Sequence, residues 1–224
     1  ILAGGYGKRL LPLTKDIPKP MIKIKKKPIL EYLINKLEFY DLKNILISTF
    51  YKQNIIKRHF KDGKKYKVNI NYTNEKKPLG TAGPLKYLMK KNYDNYLIIN
   101  SDVFKNLNLN KFIDHHIKNK FDLTIFSILN KTHLNFGVIN HKGKKVINII
   151  EKPILKNKIL GGMYLLNQKI LKLCNKKYMD MDELINIAVK NNFKVSFFLD
   201  DEVFWSDLGT VEDLEKVSNL NIDF

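Results

Sequence analysis

Arginine is nearly missing from this chain: Arg9 and Arg58 are its only two, and the rest of its 40 basic residues are lysine. Arginine's planar fork is the group best suited to base edges and paired phosphate contacts. Its scarcity, with no interleaving of aromatic and basic residues, argues against a nucleic-acid partner despite a net charge of +18. The lysines are spread along the whole chain, so the excess charge is read as attraction for small anionic substrates. Cysteine occurs once, as Cys174, which excludes an internal disulfide and fits a reducing, cytoplasmic compartment. Cys174 is expected to be a buried small hydrophobe. No apolar run approaches the roughly 18 residues of a bilayer span, and no signal-peptide pattern is present, so no membrane partner is expected. Linkers, internal repeats and low-complexity blocks are also lacking.

What remains is a chain of 224 residues with 44% hydrophobic content, enough for a sizeable core and for one large α/β domain over residues 1–224. "NILIST" (44–49), "KVNINY" (67–72) and "NYLIIN" (95–100) are short β-branched runs bounded by polar residues and read as buried strands. Between them, "PILEYLINKLEFY" spaces Ile29, Leu30, Leu33, Ile34 and Leu37 as a helix does, behind Pro28 at the first turn. Shorter helices are expected at 54–60 and 81–90. Strand, helix, strand, helix, strand predicts βαβ units and a parallel sheet. The second half reads as antiparallel pairs at 122–129, 135–140, 145–153 and 159–167, with a turn at "HKGK" (141–144). Helices return at 182–190 and 211–217. His115 and His116 sit on a polar helical stretch and read as surface.

The chain opens "ILAGGYGKRLLPLTKDIPKPM". Gly4, Gly5 and Gly7 follow a strand end, where glycine permits positive φ and close approach of a ligand to the backbone. Exposed amides in such a turn form a nest for anionic oxygens, and Lys8, Arg9 and Lys19 add charge to it. A Rossmann fingerprint is excluded because Leu10 occupies its third glycine position, and no Gly-Lys-Ser/Thr supplies a P-loop. The glycines alone are equally compatible with a plain strand-to-helix turn.

The whole of "LAGGYGKRLLPLTKDIPKP" resembles the entry motif of the nucleotidylyltransferases that make nucleotide sugars. "EKKPLGTAG" (75–83), "NSD" (100–102), "FGVI" (136–139), "EKP" (151–153), "GGMYLL" (161–166) and "WSDLGT" (205–210) continue that resemblance in order. It implies a Rossmann-like, mixed but mainly parallel sheet flanked by helices, the glycosyltransferase-A-like nucleotidyltransferase fold. It implies a nucleotide site at Leu2, Ala3, Gly4, Gly5, Gly7, Lys8, Arg9, Lys19, Glu75, Pro78, Gly80 and Thr81, with the Gly80 and Thr81 amides facing the nucleotide. Asp102 and Asp207 would hold Mg²⁺, and with Arg9 and Lys19 they form the catalytic set. Gly137, Glu151, Lys152 and Gly162 would hold the sugar phosphate. Two positions depart from the pattern: Leu160 stands where many relatives carry Asn, and Lys8 where Thr is usual.

Glu75 can only accept hydrogen bonds, while guanine offers N1–H and an exocyclic amine. That match, and the likeness of "PLGTAG" to guanylyltransferases such as those acting on mannose 1-phosphate, favours GTP. The resemblance thus implies transfer of a nucleoside monophosphate from an NTP to a sugar 1-phosphate, with release of pyrophosphate. A cytidylyl- or uridylyltransferase, or a silent nucleotide-sugar-binding regulatory subunit, are the alternatives. Sugar identity, a homo-oligomer and an upstream regulatory module stay open. The abrupt "ILA" before the glycines reads as a shortened first strand, with the polypeptide expected to begin earlier.

Overall fold

A computed structural model describes residues 1–102, 104–105, 107–175, 177–200 and 205–219. Among the described residues, thirteen strands and six α-helices are laid out in mixed α/β order. β1 (Leu2–Ala3), β4 (Asn44–Thr49) and β5 (Asn69–Asn74) form a parallel sheet in the order β1-β4-β5. Between β1 and β4 come the small antiparallel pair β2 (Lys23–Ile24) and β3 (Lys27–Pro28), then helix α1 (Ile29–Phe39). Helix α2 (Gln53–Phe60) joins β4 to β5. These are the βαβ units that the alternating pattern predicts.

The other sheet contains β6 (Asn95–Ile99), β8 (Leu123–His133), β11 (Ile154–Asn167) and β12 (Val195–Leu199), in the order β12-β8-β11-β6. β11 runs antiparallel to both β6 and β8, and β12 parallel to β8. A parallel bridge from Leu2 to Asn100 links the two sheets. β7 (Phe104–Lys105) pairs with β13 (Trp205–Ser206). β9 (Val138–Lys142) and β10 (Lys145–Ile150) make a separate hairpin whose turn holds Gly143 at φ 57°, within the expected "HKGK". α3 (Leu109–Lys118), α4 (Gln168–Leu171), α5 (Met181–Lys190) and α6 (Val211–Asn219) complete the element list.

Alternation along the central strands divides the interior. Ile99 on β6 and Met163 and Leu165 on β11 face one core, with Leu30, Ile34, Ile47, Phe60 and Phe112. Their sequence neighbours Ile98, Tyr164 and Leu166 face another, with Leu171, Met181 and Leu184 from α4 and α5. A third cluster ties the two ends of the chain together, packing Leu10 and Ile24 on Leu208, Leu214 and Val217. Cys174 is buried in the second core, and burial pushes its thiol up to about 12. No helix among the described residues is long and apolar enough to cross a membrane.

Three expectations are corrected. The strand expected at 67–72 runs Asn69–Asn74, because Lys67 turns left-handed (φ 56°) at the end of a 3₁₀ turn over Lys64–Tyr66. The helix expected at 81–90 is a 3₁₀ helix over Gly83–Leu88. Its entry is diverted because the Ala82 and Gly83 amides both donate to the Met179 carbonyl, at 2.9 and 3.0 Å. His116 is not at the surface: it is 1% exposed. Its Nδ1 lies 2.8 Å from Thr124 Oγ1 and its Nε2 3.0 Å from Asn95 Oδ1, and burial lowers its pKa.

Candidate active site

β1 delivers the glycine turn to the carboxyl ends of the parallel strands, where open α/β sheets receive ligands. Gly7 adopts φ 65°, and a Cβ there would lie 2.9 Å from Thr14 Cγ2 and 3.2 Å from Lys19 Cβ. Glycine is required at that point both for the conformation and for the space. The Thr14 hydroxyl donates to the Gly7 carbonyl at 2.9 Å and pins the far side of the turn.

The turn walls a cavity of about 470 Å³. Its lining gathers Leu2, Gly4, Gly5, Gly7, Lys8, Arg9, Lys19, Glu75, Pro78, Gly80 and Thr81, almost the whole predicted nucleotide set, together with Asp102 from the expected metal pair. Ala3 is the exception: its side chain points into the first core. A second cavity, about 330 Å³, opens between β4 and β6 and includes only Leu2 from that set.

Lys19 sits in a 3₁₀ turn with Pro20 in its first positions and Pro18 before it, so its backbone is stiff. The residue is 8% exposed. Its ammonium donates to Asp102 Oδ2 at 2.7 Å and to the Asp207 main-chain oxygen at 2.8 Å. The Asp207 carboxylate turns to the other side, accepting from the Gly209 amide at 3.1 Å and lying 3.4 Å from Arg9 Nη2. Lys19 thus ties the Asp102 carboxylate to the Asp207 backbone, the two acid side chains being 30% and 37% exposed and only Asp102 lining the cavity. Hard carboxylate oxygens at a half-open site suit Mg²⁺, which takes one or two carboxylates and completes its shell from phosphates and water. Among the described residues no cluster of three or more His, Cys, Asp or Glu side chains forms a self-contained metal cage.

Glu75, just beyond β5, is 6% exposed at the cavity wall. Burial raises its pKa, partly offset by the Ser48 hydroxyl and the Leu79 amide, which donate to it, and by the Lys86 charge. Gly80 is left-handed, φ 76°, and a Cβ there would lie 2.3 Å from the Met179 carbonyl oxygen. The Thr81 amide, expected to face a nucleotide, instead donates to Asp180 Oδ1 at 3.0 Å.

The expected sugar-phosphate residues lie outside this cavity lining. Gly137 stands against Glu151, whose Oε2 would be 3.0 Å from a Cβ there. Lys152 follows in a left-handed turn, φ 45°. Gly162 (φ 72°) occupies the irregularity in β11 between Leu160 and Tyr164, where its carbonyl accepts from the Asn100 amide at 2.9 Å. Of the four, Gly162 adjoins Asn100, two residues before Asp102.

Ser48, Ser101, Tyr178 and Asp180 also line the cavity and escaped the sequence reading. Two of them carried a signal: Ser101 lies inside the "NSD" motif, and Asp180 begins the Asp-x-Asp-Glu opening of α5, which reads first as a helix cap.

The sequence pattern of the nucleotidyl transferase family matches residues 1–223. A mannose-1-phosphate guanyltransferase of Yarrowia lipolytica is 31% identical over 223 residues, covering 95% of this chain and 61% of that protein. A D-glycero-alpha-D-manno-heptose 1-phosphate guanylyltransferase of Aneurinibacillus thermoaerophilus is 33% identical over 222 residues, covering 96% of this chain and 94% of that one. The chain therefore spans about 61% of the length of the mannose relative and nearly all of the heptose relative. Among solved structures, HddC from Yersinia pseudotuberculosis complexed with GMP-PN superposes with a TM-score of 0.76 at 28% identity, covering 97% of this chain and 96% of that one.

Proposed function

We propose, because this chain belongs to the nucleotidyl transferase family, that it transfers GMP from GTP to a sugar 1-phosphate and releases pyrophosphate. The observation that carries the reading is a buried, acceptor-only carboxylate, Glu75, in the same cavity as the glycine turn, Lys19 and Asp102. Guanine's N1–H and exocyclic amine are the donors such a group accepts. The two guanylyltransferase relatives are named for manno-configured sugars, so a manno-configured 1-phosphate is the proposed acceptor. We further propose that residues 1–224 act as one catalytic domain, in a reducing, cytoplasmic compartment that suits the lone Cys174.

In this reading the Gly4–Gly7 amides, Lys8 and Arg9 receive the triphosphate, and Lys19 neutralises its oxygens. An oxygen of the sugar phosphate bonds to the α-phosphorus as the bond to the β-bridging oxygen breaks, and the electron pair leaves on pyrophosphate. The nucleophile is already anionic at neutral pH, so no general base is required. The chain's task is alignment and charge compensation between two anions. Asp102 and Asp207 would hold Mg²⁺, which when bound would supply positive charge to offset that of the phosphates. Glu151 and Lys152 are the proposed contacts to sugar hydroxyls and phosphate, with Gly137 and Gly162 leaving room for the ring.

The test is a pyrophosphate-release matrix of GTP, UTP, CTP and dTTP against mannose, heptose, glucose and glucosamine 1-phosphates with Mg²⁺. Turnover with GTP and a manno-configured acceptor is expected. Preference for UTP or CTP would overturn the base assignment, and no release with any pair would overturn the activity.

A further inference from the structure

The turn carrying Gly80 and Thr81 is not self-supporting. It is stitched to a strip about 100 residues later, Met179–Met181. The Met179 amide donates to the Leu79 carbonyl at 3.0 Å, and the Met179 carbonyl accepts from Ala82 and Gly83. The Thr81 hydroxyl accepts from the Met181 amide at 2.8 Å. Asp180 then closes the seam. Its Oδ1 accepts from the Thr81 amide at 3.0 Å and the Thr81 hydroxyl at 3.3 Å, while its Oδ2 accepts from the Tyr178 hydroxyl at 2.9 Å.

Asp180 occupies the N-cap position of α5, where an aspartate ordinarily accepts from its own helix. Here it makes no such side-chain cap. Both of its oxygens are committed elsewhere, one of them across the cavity seam, so helix capping does not account for it. From the Thr81 turn the connection continues: the Leu79 amide donates to Glu75, and Glu75 accepts from Ser48.

We propose that Asp180 is a positioning residue for base recognition, fixing the Leu79–Gly83 turn and through it the Glu75 carboxylate. The inference rests on the reading of this cavity as a GTP site. A carboxylate whose two oxygens are both held presents one geometry to Thr81. Without it, Leu79 and Glu75 lose a fixed relation to the cavity wall.

The experiment compares wild type, Asp180→Ala, Asp180→Asn and Tyr178→Phe by calorimetric Kd for GTP and for UTP, with thermal melting of the ligand-free chain in parallel. Asp180→Ala is expected to weaken GTP about tenfold and UTP far less, narrowing the preference between them. Asp180→Asn keeps an acceptor for Thr81 and is expected within about threefold of wild type. Tyr178→Phe, at a 56% exposed position, keeps the fold and releases one oxygen, with a two- to fourfold loss for GTP expected. Wild-type GTP affinity and GTP-to-UTP ratio in Asp180→Ala and Tyr178→Phe would overturn the inference, even with lowered melting temperatures. Wild-type protein that binds no GTP would instead overturn the parent reading, and this one with it.

Discussion

Glu75 carries a carboxylate where burial disfavours charge, and that conflict has consequences for both stability and binding. Burial raises its folded-state pKa above the ordinary 4.5. The folded chain therefore binds that proton more tightly than the unfolded one, and folding is penalised as pH rises from 4.5 through the raised value. Glu75→Gln keeps an acceptor for the Ser48 hydroxyl and removes the charge. Its melting temperature is expected above wild type at pH 7, with the gain shrinking toward pH 4.5, as calorimetric scans at both pH values would show. GTP affinity should fall tenfold or more, since a hydrogen bond to a charged group contributes about 1.5–3 kcal/mol. At this scale the sequence was informative wherever a residue's chemistry speaks alone: a glycine that must turn left-handed, a lysine between prolines, an acid that only accepts. It was uninformative where a role depends on a distant partner. Nothing local marks His116 as buried against Thr124 and Asn95, or the Thr81 amide as already taken by Asp180.

β4, β6 and α1 were legible because β-branched runs and 3.6-residue spacing report burial directly. The 3₁₀ segment at Gly83–Leu88 was not, because hydrogen bonds from another part of the chain decide its geometry. The same holds where lysine occupies backbone positions suited to glycine. Lys61, closing α2, has φ 49° and ψ −131°, a region that side chains avoid. Its side chain is exposed, and its carbonyl accepts from the Tyr72 hydroxyl, a bond that any residue there could keep. Lys61→Gly is expected to stabilise the chain by about 1 kcal/mol, net of glycine's greater unfolded-state entropy. In thermal unfolding that corresponds to roughly 2–4 °C for a domain of this size. An unchanged or lower midpoint would show that the strain is compensated.

For the molecule as a whole, 40 basic against 22 acidic residues leave a net positive charge that acts on anything approaching the site. Such a field raises the encounter rate of anionic ligands and is screened over about 8–10 Å at physiological salt. Raising NaCl from about 0.05 to 0.3 M is expected to raise the KM for GTP several-fold while kcat changes little. A salt-independent KM would mean that the lysines are too dispersed to steer. The site is assembled late along the chain. Lys19 reaches Asp207 across 188 positions, and the Thr81 turn reaches Asp180 across 99. A polypeptide leaving the ribosome amino end first exposes its glycine-rich opening long before either counterpart has been translated. Nascent chains should accordingly stay unable to capture nucleotide until residues 180 and 207 have both emerged, and termination before Asp207 leaves an inert product rather than a partly working one.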